Sequence, residues 1–198
     1  DPLLQDNKWL GYIKTENARM GSLVKDMLYL AKDDAGKTEY ARLPFDLCDS
    51  VGCAVLPFES VAFEQGKKLE MQLPHQIIPM LGDEAKIRQA VIILTDNALK
   101  NSEKGALIRV SAAQEGSRCW VKVYNTGMGI SAADRAKIFN RFYRSDASRA
   151  RATGGYGLGL AIAQSIVQGH HGKISVASEP GSYAEFTITL PCSAGHLL

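Results

Sequence analysis

The sequence predicts an α+β fold, a layer of helices on one face of a sheet, preceded by one long helix. Three observations carry that expectation. Residues 106–113 and 118–124 alternate apolar and polar side chains about a turn at Glu115-Gly116, the pattern of two half-buried strands. Residues 173–178 and 184–190 alternate in the same way and close the chain as a hairpin. Between and before these runs lie apolar segments at helical spacing, over 84–101 and 157–169.

The first segment, 7–33, reads as one long amphipathic helix. Trp9, Ile13, Glu16, Met20, Leu23, Met27 and Leu30 are spaced by four and three, the seam spacing of a coiled coil or bundle, and only Glu16 interrupts the apolar series. A single helix cannot bury such a stripe, so the seam asks for partner helices. Gly36 is the expected C-cap, which divides the chain into 1–36 and 37–198. A short strand over 38–45 follows, stopping near Pro44. Asp46 then caps a helix reaching about residue 65, with Leu47, Val51, Val55, Phe58 and Ala62 on one face. Residues 68–73 alternate as a strand, Asp83 caps the apolar helix 84–101, and a short helix is expected over 132–139. A polar, arginine-rich stretch spans 145–155.

Composition narrows the class. The chain has 198 residues, 45% hydrophobic and 22% charged, enough for one globular domain and an appendage. A formal net charge of +2 gives no bulk electrostatic argument for a nucleic-acid or membrane surface. No apolar window reaches membrane-spanning length, and no signal-peptide pattern opens the chain. It begins at Asp1 without an initiator methionine, so an excised piece of a longer protein is expected. Cys48, Cys53, Cys119 and Cys192 form no C-x-x-C pair and read as free thiols of a reducing compartment. His75, His170, His171 and His196 stand at no zinc-ligand spacing from them.

Three segments carry candidate chemistry. In the helix 84–101, Asp96, Asn97, Lys100 and Asn101 share the polar side, opposite Val91, Ile92, Leu94 and Leu99. Asparagine is unfavourable inside a helix, so Asn97 is a candidate to orient a metal ion or water, and Lys100 to meet a phosphate. A solvated helix face is the other reading. Next, Asn125-Thr126-Gly127-Met128-Gly129-Ile130 follows an alternating strand, and its two glycines let backbone approach a flat ligand. A tight structural turn is the alternative. Last, Gly154-Gly155-Tyr156-Gly157-Leu158-Gly159-Leu160 opens a helix, where free N–H groups and the helix dipole suit phosphate. It is neither a dinucleotide fingerprint, since no strand precedes it, nor a Walker A loop, since G-K-[ST] is absent. Arg144, Arg149 and Arg151 precede it, in a stretch suited to cover a ligand.

In this order the segments resemble the sensor histidine kinases, within the superfamily that also holds gyrase, Hsp90 and MutL. "IRQAVIILTDNALKNS" is similar to the N box, "VYNTGMGIS" to the G1 box and "IFNRFYRSD" to the F box, with Phe139 and Phe142. "GGYGLGLAIAQSIVQGHHGKISVASEPGSYAEF" is similar to the G2 box and closing hairpin. The leading helix resembles the second helix of the dimerisation and phosphotransfer hairpin.

The resemblance implies a two-layer α/β sandwich of the Bergerat ATPase type, with ATP, ADP and Mg²⁺ as ligands. It implies Asn97 as the residue for Mg²⁺ and phosphate. It places Lys100, Asn101, Tyr143 and Arg144 around the phosphates, and Asn125, Gly127, Gly129 and Ile130 at the adenine end. Gly155, Gly157, Leu158, Gly159 and Leu160 would cover the triphosphate. It further implies homodimerisation through the first helix, a response-regulator receiver domain as partner, no nucleic acid, and the cytoplasmic portion of a membrane-anchored kinase. The γ-phosphoryl would pass to a histidine and then to an aspartate.

Two residues depart from the family pattern. Asn125 stands where the G1 box usually has Asp, and Ile93 where the N box usually has a second Asn. They motivate an alternative, a degenerate pseudokinase or dimerisation scaffold. No histidine here has the H-box setting of a phosphoacceptor, so self-phosphorylation is not expected. His171 fits the family's structural His-Gly, and His170 is expected at the surface.

Overall fold

The computed structural model describes residues 8–144 and 156–192. The chain divides into two compact units, 1–38 and 39–198.

The first unit is the helix α1 (Lys8–Asp34). It closes on Gly36, whose φ of +63° suits glycine. Lys37 N donates to Lys32 O at 3.0 Å and Gly36 N to Asp33 O at 2.9 Å, the paired bonds of a Schellman cap. Trp9, Ile13, Met20 and Met27 of the expected seam are exposed, Trp9 to 72%.

In the second unit, Asp46 and Asp83 cap the helices the sequence assigns to them. Asp46 Oδ1 accepts from Cys48 N at 3.0 Å and starts α2 (Leu47–Val55). Asp83 Oδ1 accepts from Lys86 N at 3.1 Å and starts α4 (Glu84–Lys100). The predicted helix to residue 65 is two helices, α2 and α3 (Phe58–Glu64). Pro57 has no N–H to continue the ladder, so the chain re-caps there.

Five strands form one sheet in the order β2-β4-β5-β7-β6. They are β2 (Lys68–Gln72), β4 (Leu107–Glu115), β5 (Arg118–Thr126), β6 (Lys173–Glu179) and β7 (Tyr183–Pro191). Only the β2–β4 pair is parallel. Alternation along β4, β5 and β7 sends Val110, Val121, Val123, Phe186 and Ile188 inward. On that face lie α4 and α6 (Gly159–Gly169), contributing the buried side chains Ile87, Val91, Leu94, Ile162 and Ile166 to the core. The result is the two-layer α/β arrangement.

Three further expectations change. The strand predicted over 38–45 shrinks to β1 (Leu43–Asp46), which pairs antiparallel with β3 (Pro79–Gly82), a strand not expected from the sequence. A four-residue run opened by proline carries too little alternation to announce itself. The short helix over 132–139 is only α5 (Ala132–Arg135), with Ser131 Oγ accepting from Asp134 N at 3.1 Å, and turns complete the segment. His170 is not a surface residue but is 7% exposed.

Candidate functional site

Three sequence segments meet around the C-terminal half of α4. At its middle, Ile93 faces the start of α6: a β-carbon built on Gly159 would lie 3.3 Å from Ile93 Cγ2. At its end, a β-carbon on Gly127 would lie 3.0 Å from Asn101 O. Ser102 Oγ lies 2.7 Å from Ala98 O and 3.3 Å from Thr126 O, bridging the helix end to the 125–130 loop.

That loop is pinned to the β6–β7 hairpin. Gly127 N donates to Ser182 O at 3.0 Å, Gly181 N to Met128 O at 2.7 Å, and Ile130 N to Ser178 Oγ at 2.8 Å. Gly129 has φ +63°, and a β-carbon there would sit 2.1 Å from Glu179 O. Only glycine allows this approach.

The third junction joins residues 142–144 to the start of α6. Phe142 N donates to Gly157 O at 2.9 Å. Gly157 has φ +75°, and a β-carbon there would lie 2.7 Å from Tyr143 O. Leu158, buried, precedes α6, whose first residues are Gly159 and Leu160. Tyr143 and Arg144 are half-buried. Tyr143 Oη donates to Asp134 Oδ1 at 2.5 Å. That bond, then the Ser131 hydroxyl, holds the Asp134 carboxyl below its ordinary range.

On α4 the polar residues pair with one another. Asn101 Nδ2 donates to Asn97 O at 2.8 Å and to Asn97 Oδ1 at 2.9 Å. Lys100 Nζ meets Asp96 Oδ2 at 2.5 Å, one turn back. Gly155, with Arg149 and Arg151, lies outside the described residues. Sequence reasoning named the motif residues but gave no role to Asp134 or Ser102 and did not foresee the Ile93–Gly159 contact. Their partners Tyr143, Thr126 and Gly159 lie outside the segment that holds each residue, and no local pattern marks them.

The residues fit a nucleotide. Asn125 is 4% exposed, and its Nδ2 donates to Thr126 O at 3.3 Å. Its Oδ1 remains an acceptor for an exocyclic amino group. Asn97 Oδ1 accepts one bond and keeps a lone pair, a hard oxygen of the kind Mg²⁺ takes. Ile93 supplies no such atom. Among the described residues no group of three His, Cys, Asp or Glu forms a metal cluster. A cation here would therefore rest on Asn97 and on phosphate oxygens.

Residues 82–194 match the family described as histidine kinase-, DNA gyrase B-, and HSP90-like ATPase. The chain belongs to that family of ATPases. Within it, the chain is a catalytic ATP-binding domain of the sensor-histidine-kinase type. The signal transduction histidine-protein kinase BaeS of Escherichia coli (strain K12) is 33% identical over 179 residues, 90% of this chain and 38% of BaeS. The chain thus spans about two fifths of that relative's length. Full-length ShkA, solved in complex with AMPPNP, superposes with a TM-score of 0.83 at 27% identity, over 98% of this chain and 42% of ShkA. Acinetobacter baumannii histidine kinase AdeS shares the fold, with a TM-score of 0.76 at 23% identity over 94% of this chain and 86% of AdeS.

Proposed function

We propose that this chain binds ATP and ADP with Mg²⁺ and, within a longer protein, donates the γ-phosphoryl to a histidine, from which it passes to an aspartate of a response-regulator receiver domain. The meeting of the Asn97–Asn101 turn, the 125–130 loop and the Gly157–Leu160 start along the C-terminal half of α4 carries this reading. In it, Asn125 Oδ1 accepts from the adenine amino group, and Gly127, Gly129 and Ile130 wall that end. Asn97 orients Mg²⁺, which neutralises and bridges phosphate oxygens. Lys100, Asn101, Tyr143 and Arg144 face the phosphates, and Gly155, Gly157, Leu158, Gly159 and Leu160 cover them with backbone N–H groups. Catalysis then rests on positioning and charge neutralisation.

The acceptor lies outside this chain in this reading. His170 is buried with both ring nitrogens engaged, and His171 Nε2 lies 3.1 Å from Arg42 Nη2. His75 is exposed, on a proline-flanked loop with no acidic neighbour in sequence. The exposure of Trp9, Ile13, Met20 and Met27 on α1 supports its role as a dimerising hairpin helix, residues 1–36, beside a catalytic domain, 37–198. Among the described residues no helix is long and apolar enough to cross a membrane. The reading makes this the cytoplasmic part of a membrane-anchored kinase.

Calorimetry with Mg-ADP tests the site. Saturable heat is expected, whereas folded protein giving none at millimolar nucleotide would leave the scaffold reading in its place. With γ-labelled ATP, the chain alone should take up no acid-labile label. A separate helix carrying an H-box histidine should restore labelling.

A further inference from the structure

Phe142 has a φ of +61°, a left-handed conformation that its β-carbon disfavours. Its side chain is 55% exposed, so burial of the ring does not explain why the backbone stays there. Strain of this kind persists where surrounding bonds over-determine the chain, and it concentrates at functional sites.

Three hydrogen bonds are among those that hold the segment. Phe142 N donates to Gly157 O at 2.9 Å, and Tyr143 N to Asn140 O at 3.2 Å. The third is the side-chain bond from Tyr143 Oη to Asp134 Oδ1 at 2.5 Å. Asp134 is itself fixed through Ser131 Oγ, and the preceding Ile130 N is fixed to Ser178 Oγ on β6. A run of hydrogen bonds therefore leads from the sheet to Tyr143, the residue immediately before Arg144. The carboxyl of Asp134 is held below its ordinary range by the tyrosine bond first, then by Ser131, so it meets the phenol as the stronger acceptor, a carboxylate.

We propose that Asp134 is a positioning residue: its bond to Tyr143 keeps residues 142–144 in the strained conformation and thereby sets where the Arg144 guanidinium meets the terminal phosphate. This rests on the nucleotide reading above. Without the phenol bond, the φ of Phe142 relaxes to the right-handed side and Arg144 turns away. The adenine end and Asn97 belong to other elements and keep their contacts. Loss of the bond should then be felt by a third phosphate and little by a diphosphate.

Tyr143→Phe removes one oxygen and tests this. Mg-ADP and Mg-AMPPNP are titrated by calorimetry into wild type, Tyr143→Phe, Asp134→Asn, Arg144→Ala and Tyr143→Phe/Arg144→Ala. Tyr143→Phe should weaken AMPPNP about tenfold and ADP less than about threefold, the scale of one lost charge-assisted contact. Asp134→Asn, still an acceptor, should fall between. In the Arg144→Ala background, Tyr143→Phe should cost nothing further, since it acts through that arginine. Adding Phe142→Gly to Tyr143→Phe relieves the strain and should restore AMPPNP binding, which a loss of general stability would not allow. Equal losses with and without Arg144, or AMPPNP affinity unchanged in Tyr143→Phe, overturn the proposal while ADP binding upholds the nucleotide site. Wild type that binds neither nucleotide overturns the nucleotide reading and this inference with it.

Discussion

His170 Nε2 accepts the backbone N–H of Asp83 at 3.0 Å, joining the end of α6 to the N-cap of α4 across 87 positions of chain. Its Nδ1 donates to Ile166 O at 2.7 Å, so the neutral ring is satisfied on both nitrogens. Tyr40 meets the ring edge-on at 4.9 Å, and a β-carbon on Gly82 would lie 2.8 Å from His170 Cδ2. His170→Ala would leave a cavity and orphan the Asp83 N–H. The expected loss is about 3 kcal/mol in unfolding free energy, from urea titration. A change below about 0.5 kcal/mol, the surface norm, would return His170 to the surface role its sequence suggests.

What was legible in the sequence was local. Period-two alternation placed β4, β5 and β7 because each strand shows one face to the helices. Asp46, Asp83 and Gly36 announced helix ends because capping is chemistry within a few residues. What depended on a distant partner was not legible. The β1–β3 pairing, the burial of His170 and the Asp134–Tyr143 bond each join segments whose sequences carry no sign of the other. The candidate site divides in the same way. Asn97, Asn125 and Gly157 stand out by motif, whereas Ile93 against Gly159 emerges only when α4 and α6 pack.

Asn125→Asp should separate affinity from stability. A carboxylate accepts the adenine amino group more strongly than a carboxamide does, by about 1 kcal/mol. The same change removes the donor to Thr126 O and sets buried carboxylate oxygens near that carbonyl. Mg-ADP should bind about fivefold more tightly by calorimetry, a gain of that size, while the melting temperature falls. If both quantities improve together, the Thr126 bond has no stabilising role.

Two glycines with left-handed φ should respond very differently to alanine. At Gly105, φ +83°, an added β-carbon meets nothing within 4 Å. Gly105→Ala should cost only the backbone term, about 1 kcal/mol. At Gly129 the added atom would press on Glu179 O at 2.1 Å as well. Gly129→Ala must therefore displace the 125–130 loop from the hairpin, losing several kcal/mol and nucleotide binding together. Equal melting temperatures for the two variants would show that the loop shifts freely.

The cysteines should react in an order set by burial. Cys119 has no exposed surface, and its Sγ lies 3.8 Å from Leu190 O and 3.6 Å from Met80 Sδ. Burial first, then the nearby Cys192 thiol, pushes its pKa up to about 12. Burial, with Asp46 and Asp49 adding repulsion, pushes Cys48 up to about 11. Only the thiolate alkylates, so at pH 8 iodoacetamide should modify exposed Cys53 first and leave Cys119 untouched until the protein unfolds. The same shifts set the sign of a stability change. A thiol whose folded pKa lies above its unfolded value of 9.0 favours the folded state fully below pH 9. That contribution declines as pH rises above 9, because the unfolded chain then ionises where the folded chain resists. Urea midpoints should fall between pH 9 and about 11, and Cys48→Ala/Cys119→Ala should flatten that fall while lowering the midpoint at neutral pH by the volume lost. An equally steep alkaline slope in the double variant would assign the slope to lysine and tyrosine groups instead.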